Sequence, residues 1–399
     1  MLNKESIKYS LNNLWMRKTR SFLTLLSIFI GITTIFIFIS FGWGLYDYIN
    51  QLASEGSADK FTVVGKGAGI PGTSGIEFYD GDIGAIEKTK GVSETTGMYF
   101  KSVEVIQKNK RVYTYLIGLD PTSNIFWEVS SIKIEKGRML KKGELGKVLL
   151  GYNYLLPDKI MPDPYKLGDK IEINGEKYDI VGFFTPVGNP SDDSQIYTPN
   201  ENFLRMFPNE TYAYIMGRAK IDGMDQIVES IKKNLRKFRN LEEGKEDFTV
   251  ESFQAQIEAF TSALNIIIGF VVLIALISVV VSAVNTANTM ITSVLERIRE
   301  IGIIKSIGAK NSEIFGIFLF ESSFLGFTAG IIGVILGFII TFIASKILVG
   351  LGWSFLAPHI SWQIFAGGIL FATIVGSISG VAPAINASKL NPVDALRYE

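Results

Sequence analysis

The chain has 399 residues, with 39 Lys+Arg against 39 Asp+Glu, one histidine and no cysteine. A balanced charge excludes a polybasic nucleic-acid binder and an acidic disordered chain, and the absent cysteine excludes a disulfide scaffold. Hydrophobic residues make up 47%, with 28 phenylalanines, so the question is where the charges are missing.

In chain order, residues 4–18 place Ile7, Leu11, Leu14 and Trp15 on one helical face, with Lys4, Lys8, Asn12 and Lys18 mostly elsewhere. This spacing predicts an amphipathic helix on the inner leaflet. No charge occurs between Arg20 and Asp47, and residues 22–42 are long enough to cross a bilayer, which needs about 20 helical residues. The run is too long for a signal-peptide core, and no small-x-small cleavage site follows it. Uncharged stretches after Glu258, Glu321 and Lys346 predict further spans at 264–284, 314–345 and 363–384. Four runs of this length exceed what a soluble core holds. Basic residues set the orientation. Lys4, Lys8, Arg17, Lys18 and Arg20 precede span one. Arg297, Arg299, Lys305 and Lys310 lie between spans two and three, and Lys389 and Arg397 lie in the tail. The connection between spans three and four has only Lys346. Both termini are therefore expected in the cytoplasm, and residues 47–258 outside.

Residues 47–258 hold 32 acidic and 27 basic residues, most of the chain's charge. Their texture is α+β. Strands are expected at 61–64, 103–107, 112–117, 170–173, 177–183 and 248–251, and helices at 81–89 and 224–238. Asn174-Gly175 between two strand runs predicts a type I′ hairpin turn. Pro157, Pro162, Pro164, Pro186 and Pro190 mark loops.

Little here points to catalysis. His359 is the one histidine, so no His-containing triad and no Cys/His metal cluster is expected. Asp192-Asp193 reads as a solvated loop ahead of a cation site. Gly65-Lys-Gly-Ala-Gly69 lacks the spacing of a phosphate-binding loop.

The spans carry small and polar stripes. Ser278, Ser282, Asn285 and Thr289 share one face of span two, and Gly326, Gly330, Gly333 and Gly337 one face of span three. Span four adds Gly376 and Gly380. Small residues let membrane helices approach closely. The stripes fit packing within one bundle and contact with a second copy equally well. No span has a charge at its centre, which argues against an ion or proton path through the helices. Glu321 sits near the inner end of span three, within reach of headgroups or an inner Lys or Arg.

The connection between spans two and three reads Val294-Leu-Glu-Arg-Ile-Arg-Glu-Ile-Gly-Ile-Ile-Lys-Ser-Ile-Gly-Ala-Lys-Asn-Ser-Glu-Ile314. Its isoleucines give an apolar surface that an inner loop should not expose without a partner. Gly308 suits a helix C-cap, and Asn311 or Ser312 can cap the next helix. The segment resembles the E-R-x-R-E-I-G-x-x-x-x-x-G-A signature of MacB/FtsX-like ABC transporter permeases. The resemblance extends to Leu23–Gly31, to Gly137-Arg-Met-Leu140, to Val148-Leu-Leu-Gly151 and to the tail from Pro383 to Arg397.

The resemblance implies an α-helical membrane protein with four transmembrane helices in a 1+3 order and a large α+β extracytoplasmic domain. The expected divisions are 1–46, 47–258 and 259–399, with a coupling segment at 295–313. It implies a permease chain without a fused ATPase and without catalytic activity of its own. A cytosolic ABC ATPase would bind ATP and Mg, leaving no cofactor in this chain. The ATPase-coupling residues would be Glu296, Arg297, Arg299, Glu300, Ile301, Gly302, Lys305, Ile307, Gly308 and Ala309. Other expected partners are a second permease copy, most simply as a homodimer, and membrane lipid, with no nucleic acid. ATP-driven motion would pass through the first two spans to the outer domain and export a peptide, lipid-linked or hydrophobic compound. The alternative is an FtsX-like signalling module acting on an extracytoplasmic partner such as a cell-wall hydrolase.

Overall fold

The structure is a computed structural model describing residues 18–54, 58–67, 75–130 and 132–397. The amphipathic helix expected from residue 4 and part of the 65–69 glycine segment lie outside the described residues. The chain forms two compact units. One is the outer unit, Tyr46–Ser262 with Leu348–Leu356; the other holds the remaining chain, and its described residues are mainly helical.

Helix α1 (Lys18–Ser54) is the first element among the described residues. The outer unit follows with β1 (Lys60–Gly65), α2 (Asp80–Glu87), β2 (Val92–Gln107), β3 (Lys110–Leu119), α3 (Ile125–Ser130), β4 (Ile134–Gly137) and β5 (Lys147–Leu150). Then come β6 (Lys170–Ile173), β7 (Glu176–Phe184), β8 (Ile196–Pro199), α4 (Asn200–Met206), β9 (Tyr214–Ala219), α5 (Met224–Phe238) and β10 (Phe248–Ser252).

The sheet runs β10-β1-β9-β2-β3-β8-β5-β7-β4, with β6 pairing β2 and β7. Strand β2 is its axis: residues 92–98 pair with β9 and residues 99–107 with β3. The pairs β3·β8 and β5·β7 are parallel, and the rest are antiparallel. Two hairpin turns follow from local chemistry. Asn174 and Gly175 have φ of 49° and 85°, and Lys108 and Asn109 have 46° and 65°. Positive φ at both central residues is the type I′ geometry whose twist matches that of paired strands.

Each half of the sheet has its own core. Ile227, Ile231 and Leu235 recur every four residues along α5 and bury one stripe against Phe61, Val63, Ile215 and Phe248. The other half closes over Val105, Leu116, Ile171, Phe183, Ile196 and Phe203. Beside the first core, Arg239 donates to both oxygens of Asp82 at 2.8 and 2.9 Å and to Asp247 at 3.0 Å, and stacks on Phe78. Asp82 is 2% exposed, so this pairing replaces its lost water.

The loop before β8 is braced from inside. Asp193 is buried and accepts from the backbone N–H groups of Val187 at 2.7 Å and Gly188 at 3.1 Å. Asp192 accepts from Asn189 and Gln195 side chains at 3.0 Å each. Burial raises the pKa of both carboxyls. The pair therefore serves loop structure; among the described residues no group of three metal-ligating side chains forms. A short turn at Ser354–Leu356 lies against this loop. Phe355 N donates to Gly188 O at 3.3 Å, Lys159 Nζ donates to Gly350 O at 3.1 Å, and the Tyr48 and Phe355 rings are 5.6 Å apart.

The helical unit is completed by α6 (Phe253–Leu295), α7 (Ile298–Ser306), α8 (Asn311–Leu351), α9 (Trp362–Ser388) and α10 (Pro392–Arg397). Four helices are long and apolar enough to cross a membrane: Leu25–Gln51 within α1, then α6, α8 and α9. The chain is a multi-pass membrane protein with a large extracellular α/β domain after its first helix. Helices α6 and α8 have 43 and 41 residues. At about 1.5 Å per residue each is about 60 Å long, twice the hydrocarbon thickness, so both project beyond it.

Two outcomes test the outer unit. Arg239→Ala leaves Asp82 buried without its partner and should lower stability by about 3–5 kcal/mol. Urea unfolding of a 58–252 fragment, followed at Trp127, measures this; a loss below about 1 kcal/mol would contradict the buried-pair account. The second is a pH dependence. The Arg138 guanidinium fork, at 2.7 and 2.9 Å, holds the Glu144 carboxyl below its ordinary value of 4.5. A depressed native pKa adds stability that is complete above the ordinary value and is lost as pH falls through the native one. Glu144→Gln should flatten the acid limb of the stability profile and leave the profile above pH about 6 parallel to wild type.

Candidate functional site

The inner connection between α6 and α8 sorts its residues into two sets. Helix α6 ends at Leu295, and Arg297 turns the chain so that α7 begins at Ile298, with Ile301 N donating to Arg297 O at 2.9 Å. Gly308 ends α7 at φ +109°, a conformation that side chains resist, and its N–H returns to Lys305 O at 3.0 Å. The next helix is capped by Glu313, whose carboxylate accepts from Lys310 N at 3.0 Å, where Asn311 or Ser312 was expected. Both lie inside α8 instead.

One set points inward. Arg297 is 3% exposed, as is Glu321 on α8. Arg297 Nη1 meets Glu321 Oε2 at 3.1 Å, the guanidinium lies 5.0 Å from the Phe318 ring centre, and Nε is 3.5 Å from Glu300. Ile301 is buried with Met290, Val294, Ile314, Phe318, Leu325, Ala384 and Ala387. Gly302 is buried because α10 crosses it: a Cβ there would lie 2.9 Å from Ala395 Cβ. Lys305 Nζ donates to the carbonyls of Ser388 at 2.9 Å and Leu390 at 2.6 Å. These residues fasten α7 to α8, to the end of α9 and to α10.

The other set faces out. Glu296, Arg299, Glu300 and Gly308 are exposed, and Ala309 is half-buried. Ile307 is 83% exposed and Ile303 is 46% exposed, and Val393 and Leu396 of α10 are exposed as well. Leu396 flanks Gly302, its Cγ 3.5 Å from where a Cβ would stand. Helix α10 was not among the sequence-predicted coupling residues. The signal available was its Val-x-x-Leu spacing directly after Pro392.

The glycine stripe of α8 meets helices of the same chain. Gly326 abuts the backbone of Ala372 and Gly376 on α9, and Gly330 abuts Ala372 and Ile369. Gly333 and Gly337 turn to α1, each with its Cβ position 2.9 Å from Ile32 or Phe36. Thr33 Oγ1 donates to Gly333 O at 2.9 Å. On α6, Ser282 Oγ donates to Ser27 O at 2.9 Å and Asn285 Nδ2 reaches Ser27 Oγ at 3.4 Å. Ser278 is exposed and bonds back to its own helix at Ile274 O. An apolar cavity of about 340 Å³ lies between α1, α6 and α9, lined among others by Phe36, Trp43, Leu276 and Phe371. His359 N donates to Ser40 O at 2.8 Å, and its ring stands edge-on to Trp43.

Known proteins match this arrangement along the whole chain. Residues 272–392 match the FtsX-like permease C-terminal family, and residues 21–234 match the MacB-like periplasmic core domain. An ABC transporter permease of Methanocaldococcus jannaschii is 32% identical over 98% of this chain and 98% of its own. The ABC transporter permease YknZ of Bacillus subtilis is 29% identical over 99% of each chain. The macrolide export ATP-binding/permease protein MacB of Neisseria gonorrhoeae is 26% identical over 99% of this chain but 61% of its own length.

The close approach at Gly326 yields a prediction. Gly326→Ala forces a methyl group into the Ala372 carbonyl and should cost about 1–3 kcal/mol. Ser278→Ala, on an exposed face, should cost under about 0.5 kcal/mol. Thermal melts of the two purified variants in one detergent measure the contrast; equal losses would show that the glycine does not set the helix approach.

Proposed function

Because the chain belongs to the MacB/FtsX-like family of ABC transporter permeases, we propose that it is the membrane subunit through which a cytosolic ABC ATPase moves an extracellular domain. Two relatives of matching length are named permeases, whereas the longer gonococcal relative carries ATP-binding in its name as well. ATP and Mg are bound by the ATPase. The observation that carries this reading is the apolar inner surface of α7 and α10: Ile303, Ile307, Val393 and Leu396 are exposed outside the spans. Arg299 and Glu300 rim it with both charge signs. An apolar patch with a polar rim is the anatomy of a protein interface.

The surface is also firm enough to transmit force. Lys305, Gly302 and Ile301 hold α7 against its neighbours, so displacement of the exposed set moves the helix as a body. A second copy of the chain completes the transporter. The span of α6 offers the surface for it or for lipid, since only 11% of its apolar window is buried within the chain. Lack of a charge at the centre of any span fits motion passed through helices ahead of a substrate path between them. The cargo is a peptide, lipid-linked or hydrophobic compound, exported at the outer face.

Purification of the full chain from its native membranes, with ATP hydrolysis and mass spectrometry as readouts, tests the reading. An ABC ATPase should copurify. Ile307→Asp should weaken its binding at least tenfold, a hot-spot effect of about 1.4 kcal/mol or more. Undiminished recruitment and hydrolysis with Ile307→Asp and Val393→Asp combined would refute the docking surface. Copurification of a cell-wall hydrolase with the outer domain would instead favour signalling over export.

A further inference from the structure

The third membrane helix is anchored at both ends, and neither anchor is needed for it to span a bilayer. At its inner end Glu321 is buried in an ion pair with Arg297, at the turn into α7, and Phe318 on the same helix lies under the guanidinium. Glu321 is ten residues into α8, so the anchor is about 15 Å along the helix. A carboxylate that deep is retained only where its charge is matched. At its outer end α8 runs into the extracellular unit: Leu348–Leu356 clusters with that domain and not with the helices. There Lys159 holds the Gly350 carbonyl, Phe355 N holds the Gly188 carbonyl, and Phe355 packs on Tyr48 and Trp353 with ring centres 5.6 Å away in each case. The Gly188 that receives this contact is itself held by Asp193.

We propose that α8 is a transmitting rod: the Arg297–Glu321 pair couples the ATPase-docking helix α7 to it, and the Leu348–Leu356 turn delivers its motion to the 187–195 loop of the extracellular domain. This rests on the function proposed above and adds a second route beside the first two spans, the route that the family resemblance implies. Arg297 and Glu321 are positioning residues. They touch neither ATPase nor cargo; they fix α7 relative to α8. A planar guanidinium paired with a carboxylate and stacked on a ring resists rotation as well as separation. A helix with hydrogen-bonded anchors beyond both ends of its span passes on displacement that a loosely tethered one would absorb.

The chain has no cysteine, so spin labels can be placed at will. Labels at Tyr113→Cys on the outer domain and Trp362→Cys on α9, both exposed, report how the domain moves against the bundle. The distance is measured by pulsed EPR in the reconstituted complex with its ATPase, without nucleotide and with ATP, Mg and vanadate. Wild type should show a nucleotide-dependent shift. Its absence would overturn the function proposed above. Given that shift, Glu321→Gln and Phe355→Ala should each keep ATP hydrolysis while losing most of the shift. The exchanged pair Arg297→Glu with Glu321→Arg should recover most of it. A full shift in Glu321→Gln or in Phe355→Ala overturns the rod, with the wider function intact. If Glu321→Gln fails to assemble, Arg297→Lys decides. It keeps the charge and loses the planar fork, so a reduced shift supports the rod and an unchanged one overturns it.

Discussion

An arginine and a glutamate that are both almost fully buried have given up the water that would otherwise stabilise their charges, and each depends on the other. Removing two charges from water costs several kcal/mol per ion, recovered only when geometry is good and the remaining polar atoms are satisfied. Arg297 and Glu321 meet at 3.1 Å, with Glu300 3.5 Å from the guanidinium and the Phe318 ring beneath it. Such a pair adds little net stability over a well-packed apolar one, but it is intolerant of displacement. Two isoleucines could slide by an ångström at small cost; these two side chains cannot. That intolerance orients α7, and the exposed isoleucines of α7 follow from its orientation.

The bundle supports the pair by leaving little room for adjustment. Glycines let α8 touch α9 through backbone at Gly326 and touch α1 through Phe36 at Gly337. In hydrocarbon no hydrophobic effect drives helices together, so close van der Waals contact and side-chain hydrogen bonds must do so. Thr33 to Gly333, Ser282 to Ser27 and Ser323 with Ser377 supply the bonds. The stripe that looked equally suited to a second copy is thus engaged within the chain along its whole length. The glycine stripe therefore leaves no free face for a second copy, whereas α6 is lightly buried within the chain.

The legible parts of the fold were those with local causes. Charge-free runs marked the four spans, and Asn174-Gly175 marked a hairpin, because positive φ and period-two patterns act over a few residues. The parallel pairs β3·β8 and β5·β7 join segments tens of residues apart, and no local pattern specifies which strands meet. The inner connection at 295–313 is legible in the sequence as a segment, but nothing local sorts its residues into buried and exposed sets. Arg297 and Arg299 look alike in sequence, yet one is buried and the other exposed. A clue was present: Glu321 stands alone among apolar residues, and an acid there requires a base, of which Arg297 is one of few within reach. The membership of Leu348–Leu356 in the outer unit had no sequence signal, since a Gly-Trp-Ser-Phe turn fits any membrane edge.

The position of the acid-bearing helix decides what kind of machine the bundle can be. If force entered only through the chain continuity of α6 into β10, the 43-residue helix would have to bear it along a span that is mostly unsupported by its own chain. Helix α8 is different: thirteen of its residues are buried, and they lie along most of its length. A rod braced on its sides bends less under a load at its end. Bracing also raises the cost of moving it, so motion must come as a displacement of the whole packed set and not as a local flexing, the behaviour expected of interfaces with discrete arrangements.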